Sequence, residues 1–226
     1  MYYAIVGDII SSKSIDERRV VQNKLERYLT TLNKEYSTSL KKKIAVTLGD
    51  EFQGLFNDAS HLLEIIHKIE LEMYPIKLRF GLGIGEMEFD YGYIDSPYQS
   101  DGEVWWNARR AIDEVKKRNS KNKLEYFSNI YIKGKNDFFN KRINVVLDLC
   151  YSIKTNWTKK QIELIHFTIN EYGIRDKFLF KDVAAKFSQS TSTIYGKYKS
   201  AKYLNYINVM NDVTENVIME GENHAV

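Results

Sequence analysis

With 226 residues, 43% of them hydrophobic and 28% charged, the chain has the make-up of an ordinary globular protein, long enough for one large domain or a medium and a small one. No run approaches the ~18 to 20 uncharged apolar residues of a membrane helix. MYYAIVGDII at the start lacks a basic leader, and the single cysteine, Cys150, can close no internal disulfide, so the expectation is a cytoplasmic protein with no membrane partner. Net charge is only +3, but residues 1–128 carry 19 Lys+Arg against 20 Asp+Glu and residues 129–226 carry 14 against 10. The basic excess of the second part points to an anionic partner there.

The opening run YYAIVGDII is short and apolar, which predicts a buried strand ending near Asp8. After SSKS, Val21, Leu25, Tyr28, Leu29 and Leu32 fall on one helical face. Ile44, Val46 and Leu48, then Phe52, Gly54 and Phe56, follow the strand period on either side of Gly49-Asp50. Such a dipeptide makes a two-residue hairpin turn, because glycine accepts the positive φ of the first position. A second helix, with Asp58 as cap and Ala59, Leu62, Leu63, Ile66, Ile69 and Met73 inward, stops at Pro75.

In IKLRFGLGIGE, Leu78, Phe80, Leu82 and Ile84 share one strand face and Gly81, Gly83 and Gly85 the other. Three glycines strip that face to backbone; a covering helix is favoured over a nucleotide as the partner. Residues 87–101 keep neither period and read as loop. GEVWWNARRAIDEVKKRN is a third helix with Trp105, Ala108, Ile112 and Val115 on its inner face, and KLEYF is a closing strand. The four histidines show no ligand spacing.

This order, β-α-β-β-α-β followed by α-β, begins as a ferredoxin-like split βαβ unit and makes the protein α+β. In that topology the first strand is central and lies beside a hairpin strand, so Asp8 and Asp50 become neighbours. Two close carboxylates repel unless a cation sits between them, and Mg²⁺ or Mn²⁺ completed by phosphate oxygens is the candidate. Ser11, Ser12 and Lys13 could present hydroxyls, amides and a charge to a phosphate, or merely cap the first helix.

Residues 136–155 form an amphipathic run that reads as a connecting helix, placed within a linker of residues 129–155. Residues 156–226 are expected to be a separate all-α unit. Thr158 caps its first helix, and Val183, Ala184, Phe187, Ser190, Ser192, Thr193 and Ile194 fit the slots of a helix-turn-helix, with Ser188 and Gln189 in place of the usual turn residues. Residues 156–211 hold 9 Lys+Arg against 4 Asp+Glu. Ser190, Thr191, Ser192, Thr193, Tyr195, Lys197, Lys199 and Lys202 are the candidate contacts to double-stranded DNA; a protein-binding helical module is the alternative.

GDII and LGDEF together resemble the palm-type catalytic domain shared by class III nucleotidyl cyclases and GGDEF diguanylate cyclases. The resemblance implies that Asp8 and Asp50 hold metal, with the Ile9 backbone carbonyl as a further ligand. DGEVWWNARRAID is similar to the cyclase helix that carries a catalytic Asn and Arg. Arg110 matches the Arg, whereas Trp106 stands where the Asn belongs. Over nearly the whole chain, VGDIISSKSIDER, TLGDEFQGLF, RFGLGIGE, DGEVWWNARRAI and the helix-turn-helix resemble, in this order, the SatD family. The expected function is a nucleotide- or metal-responsive DNA-binding regulator. The alternatives are a metal-dependent nucleotidyl cyclase or nucleotidyltransferase and a degenerate palm used for protein contacts, with the oligomeric state left open, a homodimer included.

Overall fold

The computed structural model describes residues 1–12, 15–90, 97, 100–121, 127–174 and 177–223. Strand β1 (Tyr2–Ile9) is followed by helix α1 (Arg18–Glu35), the hairpin β2 (Leu40–Leu48) and β3 (Glu51–Phe56), helix α2 (Leu62–Met73) and strand β4 (Leu78–Gly85). A short ribbon, β5 (Phe89–Asp90) with β6 (Ser100–Asp101), precedes α3 (Glu103–Lys121) and β7 (Ile130–Lys133). Helices α4 (Asp137–Lys154), α5 (Lys159–Tyr172), α6 (Phe180–Lys186), α7 (Thr191–Ser200) and α8 (Tyr203–Glu222) complete the described chain.

The main sheet has the order β2-β3-β1-β4-β7, with β1 antiparallel to both neighbours and β7 parallel to β4. Its first four strands are the ferredoxin-like arrangement, and β1 is central, as the element order predicts. Gly49 has a φ of 67° at the first position of the hairpin turn, the conformation glycine supplies without steric cost. Asp58 does not cap α2: it accepts from the Ser60 amide at 2.9 Å and closes a turn ahead of the helix.

Alternation along β1 sends Ile5 and Ile9 to one face and Ala4, Val6 and Asp8 to the other. The first face carries the large core, where Ile5, Leu25, Leu29, Phe52, Ile66 and Phe80 are buried under α1 and α2. On the second face lies α3. A methyl group on Gly83 would fall well inside contact distance of the Val104 carbonyl oxygen and the Ala108 amide nitrogen, and one on Gly81 would meet Ala108 and Ile112 backbone. The bare strand face is therefore a seat for a helix backbone, and Trp105 packs there with Val6, Leu55 and Ala108.

Among the described residues the strand after α3 is Ile130–Lys133; of KLEYF, all but Phe127 is outside the described residues. Residues 130–133, placed in the connecting segment 129–155 from sequence, thus belong to the sheet, while α4 fills Asp137–Lys154 with Asn136 as its cap. Two α4 side chains protect the outer edge of β7. Asn144 accepts from the Ile132 amide (2.8 Å) and donates to the Ile132 carbonyl (2.7 Å), and Asn140 does the same for Gly134 at 2.7 and 3.0 Å. An edge strand so covered offers no free ladder to another chain.

Helices α4 to α8 do not stand apart from this layer. Tyr206, Ile207, Met210 and Val213 of α8 belong to the same hydrophobic cluster as Tyr3, Ile66 and Ile84. His67 on α2 ties the two parts together: Nδ1 lies 2.6 Å from the Leu63 carbonyl and Nε2 2.6 Å from the Tyr206 hydroxyl. That network assigns the proton to Nδ1 and makes Nε2 the acceptor. Burial, and after it the nearby Lys154, lowers the imidazole pKa to about 4. Trp157 packs edge-on against Tyr206 and donates from Nε1 to the Ala201 carbonyl at 2.9 Å.

Candidate functional site at the end of the central strand

Asp8 is the last polar residue of β1, and it is buried. The sheet register sets Glu51 of β3 opposite it on one side and Arg79 of β4 opposite it on the other, so the three side chains share the α3 face. Arg79 clamps Asp8 with two bonds, Nε to Oδ1 at 2.7 Å and Nη2 to Oδ2 at 3.2 Å. Lys116 of α3 adds a third, Nζ to Oδ2 at 3.0 Å. Two turns earlier on the same helix, Arg109 forks onto Glu51 at 2.5 and 2.8 Å, and Gln53 donates to Glu51 at 2.8 Å. Partial burial pushes the Glu51 carboxyl pKa up, but the bonds from Arg109 and Gln53 outweigh it and leave it below its ordinary value. The pole is thus a row of carboxylates, each held by basic side chains from β4 and α3.

Asp50 has another partner. It sits in the turn beyond Glu51 and faces Arg18, the first residue of α1, at 3.9 Å, and α1 lies on the opposite side of the sheet from α3. Ile9 is paired with Leu78 in the β1–β4 ladder. Among the described residues no three His, Cys, Asp or Glu side chains converge as a metal would require. Both oxygens of Asp8 already accept from cations, so the donor set of Asp8, Asp50 and the Ile9 carbonyl does not fit a divalent ion as arranged here.

Of the other expected residues, Arg110 is exposed, and it is Arg109 that α3 aims at the hairpin tip. Asn107, one position after the place of the cyclase Asn, is buried and donates to the Ile84 carbonyl at 2.8 Å, an anchor for α3 on β4. Ser11 is exposed with φ 57° and Ser12 is buried, while Lys13 lies outside the described residues. The cap position of α1 is Glu17, without a side-chain cap bond, so neither Ser11 nor Ser12 caps that helix. Beside the pole a cleft of about 520 Å³ is lined by Thr47, Gln53, Glu51, Arg109, Trp105 and Trp106. Trp106 is 43% exposed, with its Nε1 donating to Asp101 at 2.8 Å.

Arg79, Arg109 and Lys116 were missed by sequence reasoning. One signal was available: Arg79 is a lone charge in the apolar strand LRFGLGIG, and a half-buried strand charge calls for a partner across the sheet.

A second surface lies on α7. Ser188 takes φ 50° between α6 and α7, and Ser190 caps α7 by accepting from the Thr193 amide at 3.1 Å. Ile194 and Tyr198 are buried, and Tyr198 hydrogen-bonds Thr168 of α5. Thr191, Ser192, Thr193, Tyr195, Lys199 and Lys202 are exposed, and Lys197 is half-buried with its ammonium donating to Gln189 at 2.7 Å.

Fold and pole define a mixed α+β protein whose sheet contains the ferredoxin-like strand order, whose central acid is neutralised within the chain, and whose C-terminal helices share the core. Its family follows from the sequence: a model of the SatD family matches residues 2–217, and the chain belongs to that family. No curated protein matches the sequence. Among solved structures, the chain is similar to the catalytic core of a rhodopsin-guanylyl cyclase with converted specificity in complex with ATPalphaS, at 18% identity and a TM-score of 0.36, covering 49% of this chain and 70% of that one. It is also similar to the guanylyl cyclase Cya2, at 13% identity and a TM-score of 0.34, covering 48% of this chain and 67% of that one.

Proposed function

We propose that this SatD-family protein is a regulator that binds duplex DNA through α7, with the palm-topology layer as its body. The observation that carries the reading is the outward face of α7: hydroxyl residues at its start, then Tyr195, Gly196 and Lys199, backed by a buried face that fixes the helix to α5. A 10-residue helix is about 15 Å long, a length that lies readily in a major groove about 12 Å wide. Small hydroxyl side chains suit phosphate and base-edge contacts, and lysines supply the charge. The turn at Ser188 takes the left-handed backbone that the missing turn glycine ordinarily provides. In this reading a nucleotide is the ligand the body senses, and the cleft beside Trp106 offers a ring face for it.

Replacing Lys197, Lys199 and Lys202 together with Glu should abolish retardation of labelled genomic fragments in a gel while leaving the melting midpoint near that of the parent, since none of the three is buried. Unaltered retardation by the triple variant removes α7 as the DNA-reading helix.

A further inference from the structure

We infer that Arg79 and Lys116 hold at Asp8 the place a divalent cation takes in a metal-dependent palm, so that this pole is closed by the chain's own charges and takes its ligands without Mg²⁺ or Mn²⁺. The inference concerns the sheet alone and is independent of whether α7 binds DNA.

Three observations carry it. First, the guanidinium is placed by the backbone: Asp8 and Arg79 are direct partners in the β1–β4 ladder, so the clamp persists as long as the two central strands stay paired. Residues facing each other in this way have Cβ atoms about 4.5 to 5.5 Å apart, and the two-pronged arginine geometry matches a carboxylate better than any other side chain does. Second, the ammonium is placed by packing. Lys116 lies on α3, whose backbone is seated on Gly81 and Gly83, and its Nζ reaches Oδ2 at 3.0 Å.

Third, the remaining acids are otherwise engaged. Glu51 holds Arg109 and Gln53, and Asp50 faces Arg18 on the other side of the sheet. A magnesium ion needs near-octahedral oxygen ligands at about 2.1 Å. To bind here it would have to displace the arginine clamp on a buried carboxylate and then sit beside both displaced cations. The two basic side chains instead give the pole fixed N–H donors, which serve an anion such as a phosphate directly.

Mn²⁺ binding followed by electron paramagnetic resonance, with thermal melts in parallel, tests this. The parent should take up no Mn²⁺ that depends on Asp8, and its midpoint should not move at millimolar Mn²⁺. The variant Arg79→Met/Lys116→Met should melt lower, gain one Mn²⁺ and recover part of its midpoint on adding it, and Asp8→Asn in that background should remove the gain. Parent uptake of Mn²⁺ that Asp8→Asn abolishes would overturn the inference, and so would a folded double variant that gains no ion. Should the double variant not fold, the comparison of parent with Asp8→Asn decides by itself, because the parent's own uptake is then the deciding quantity.

Discussion

Gly83→Val should cost about 3 kcal/mol or more of folding stability, at the upper end of what overpacking a core does. The atoms a side chain would strike are the Val104 carbonyl and the Ala108 amide, and helix backbone cannot rotate out of the way as a side chain can. Helix α3 would have to lift off β4 along its first turns, taking Trp105 out of its cluster with Val6 and Leu55 and Arg109 away from Glu51. Urea unfolding followed by tryptophan fluorescence reads both effects. A variant with parental stability and an unshifted Trp105 environment would mean that α3 does not rest on this strand.

Below neutral pH the His67–Tyr206 link should make the protein acid-sensitive. The imidazole is wholly buried and its pKa is depressed to about 4 from 6.5. The unfolded chain therefore binds a proton that the folded chain refuses. Stability is complete above the unfolded value and falls as pH drops through the window between 6.5 and about 4, at a rate approaching about 1.4 kcal/mol per pH unit. Glu64, Glu70, Lys154 and Tyr206 are the ionisable groups around it. By pH 5 the parent should have lost about 2 kcal/mol from this residue alone, before most carboxylates begin to titrate. In His67→Gln the loss over the same interval should be smaller by that amount, whatever the variant's stability at neutral pH. Parallel curves for the two proteins would show that His67 is not the buried neutral group described.

Much of the sheet was legible because its signals are local. Gly49 announced the hairpin, and the alternation of Leu78, Phe80, Leu82 and Ile84 with three glycines announced a strand with a helix on its back. Trp105 could be assigned to the core from its spacing to Ala108 and Ile112. Less local arrangements were not legible. The partners of Asp8 come from 71 residues on in the case of Arg79 and from a separate helix in the case of Lys116, and nothing in either segment alone shows that they meet. His67 displayed no motif because its partner, Tyr206, is 139 residues away. The strand at Ile130–Lys133 was not foreseen since IYIK is only 4 residues long, too short for a period to declare itself, and its edge is satisfied by Asn140 and Asn144 rather than by another strand. Of the acids proposed for metal, Asp8 meets Arg79 of β4 and Lys116 of α3, and Asp50 faces Arg18 of α1, pairings that neither strand nor turn shows by itself.

Gly196 gives the sharpest test of the claim that the outward face of α7 approaches DNA. It is exposed in the middle of a helix, and a side chain there would meet nothing within 4 Å, so packing within the chain gives no reason for glycine. Gly196→Ala should raise helix stability by roughly 0.8 to 1 kcal/mol, because alanine loses less backbone entropy. If the face lies close against a duplex, the added methyl should weaken binding about tenfold, equivalent to about 1.4 kcal/mol. Fluorescence anisotropy with a labelled duplex selected from genomic fragments, run beside a thermal melt, measures the two together. The expected result is a higher melting midpoint with lower DNA affinity. A variant that is more stable and binds DNA as tightly as the parent, or a parent that binds no duplex at low salt, would contradict it.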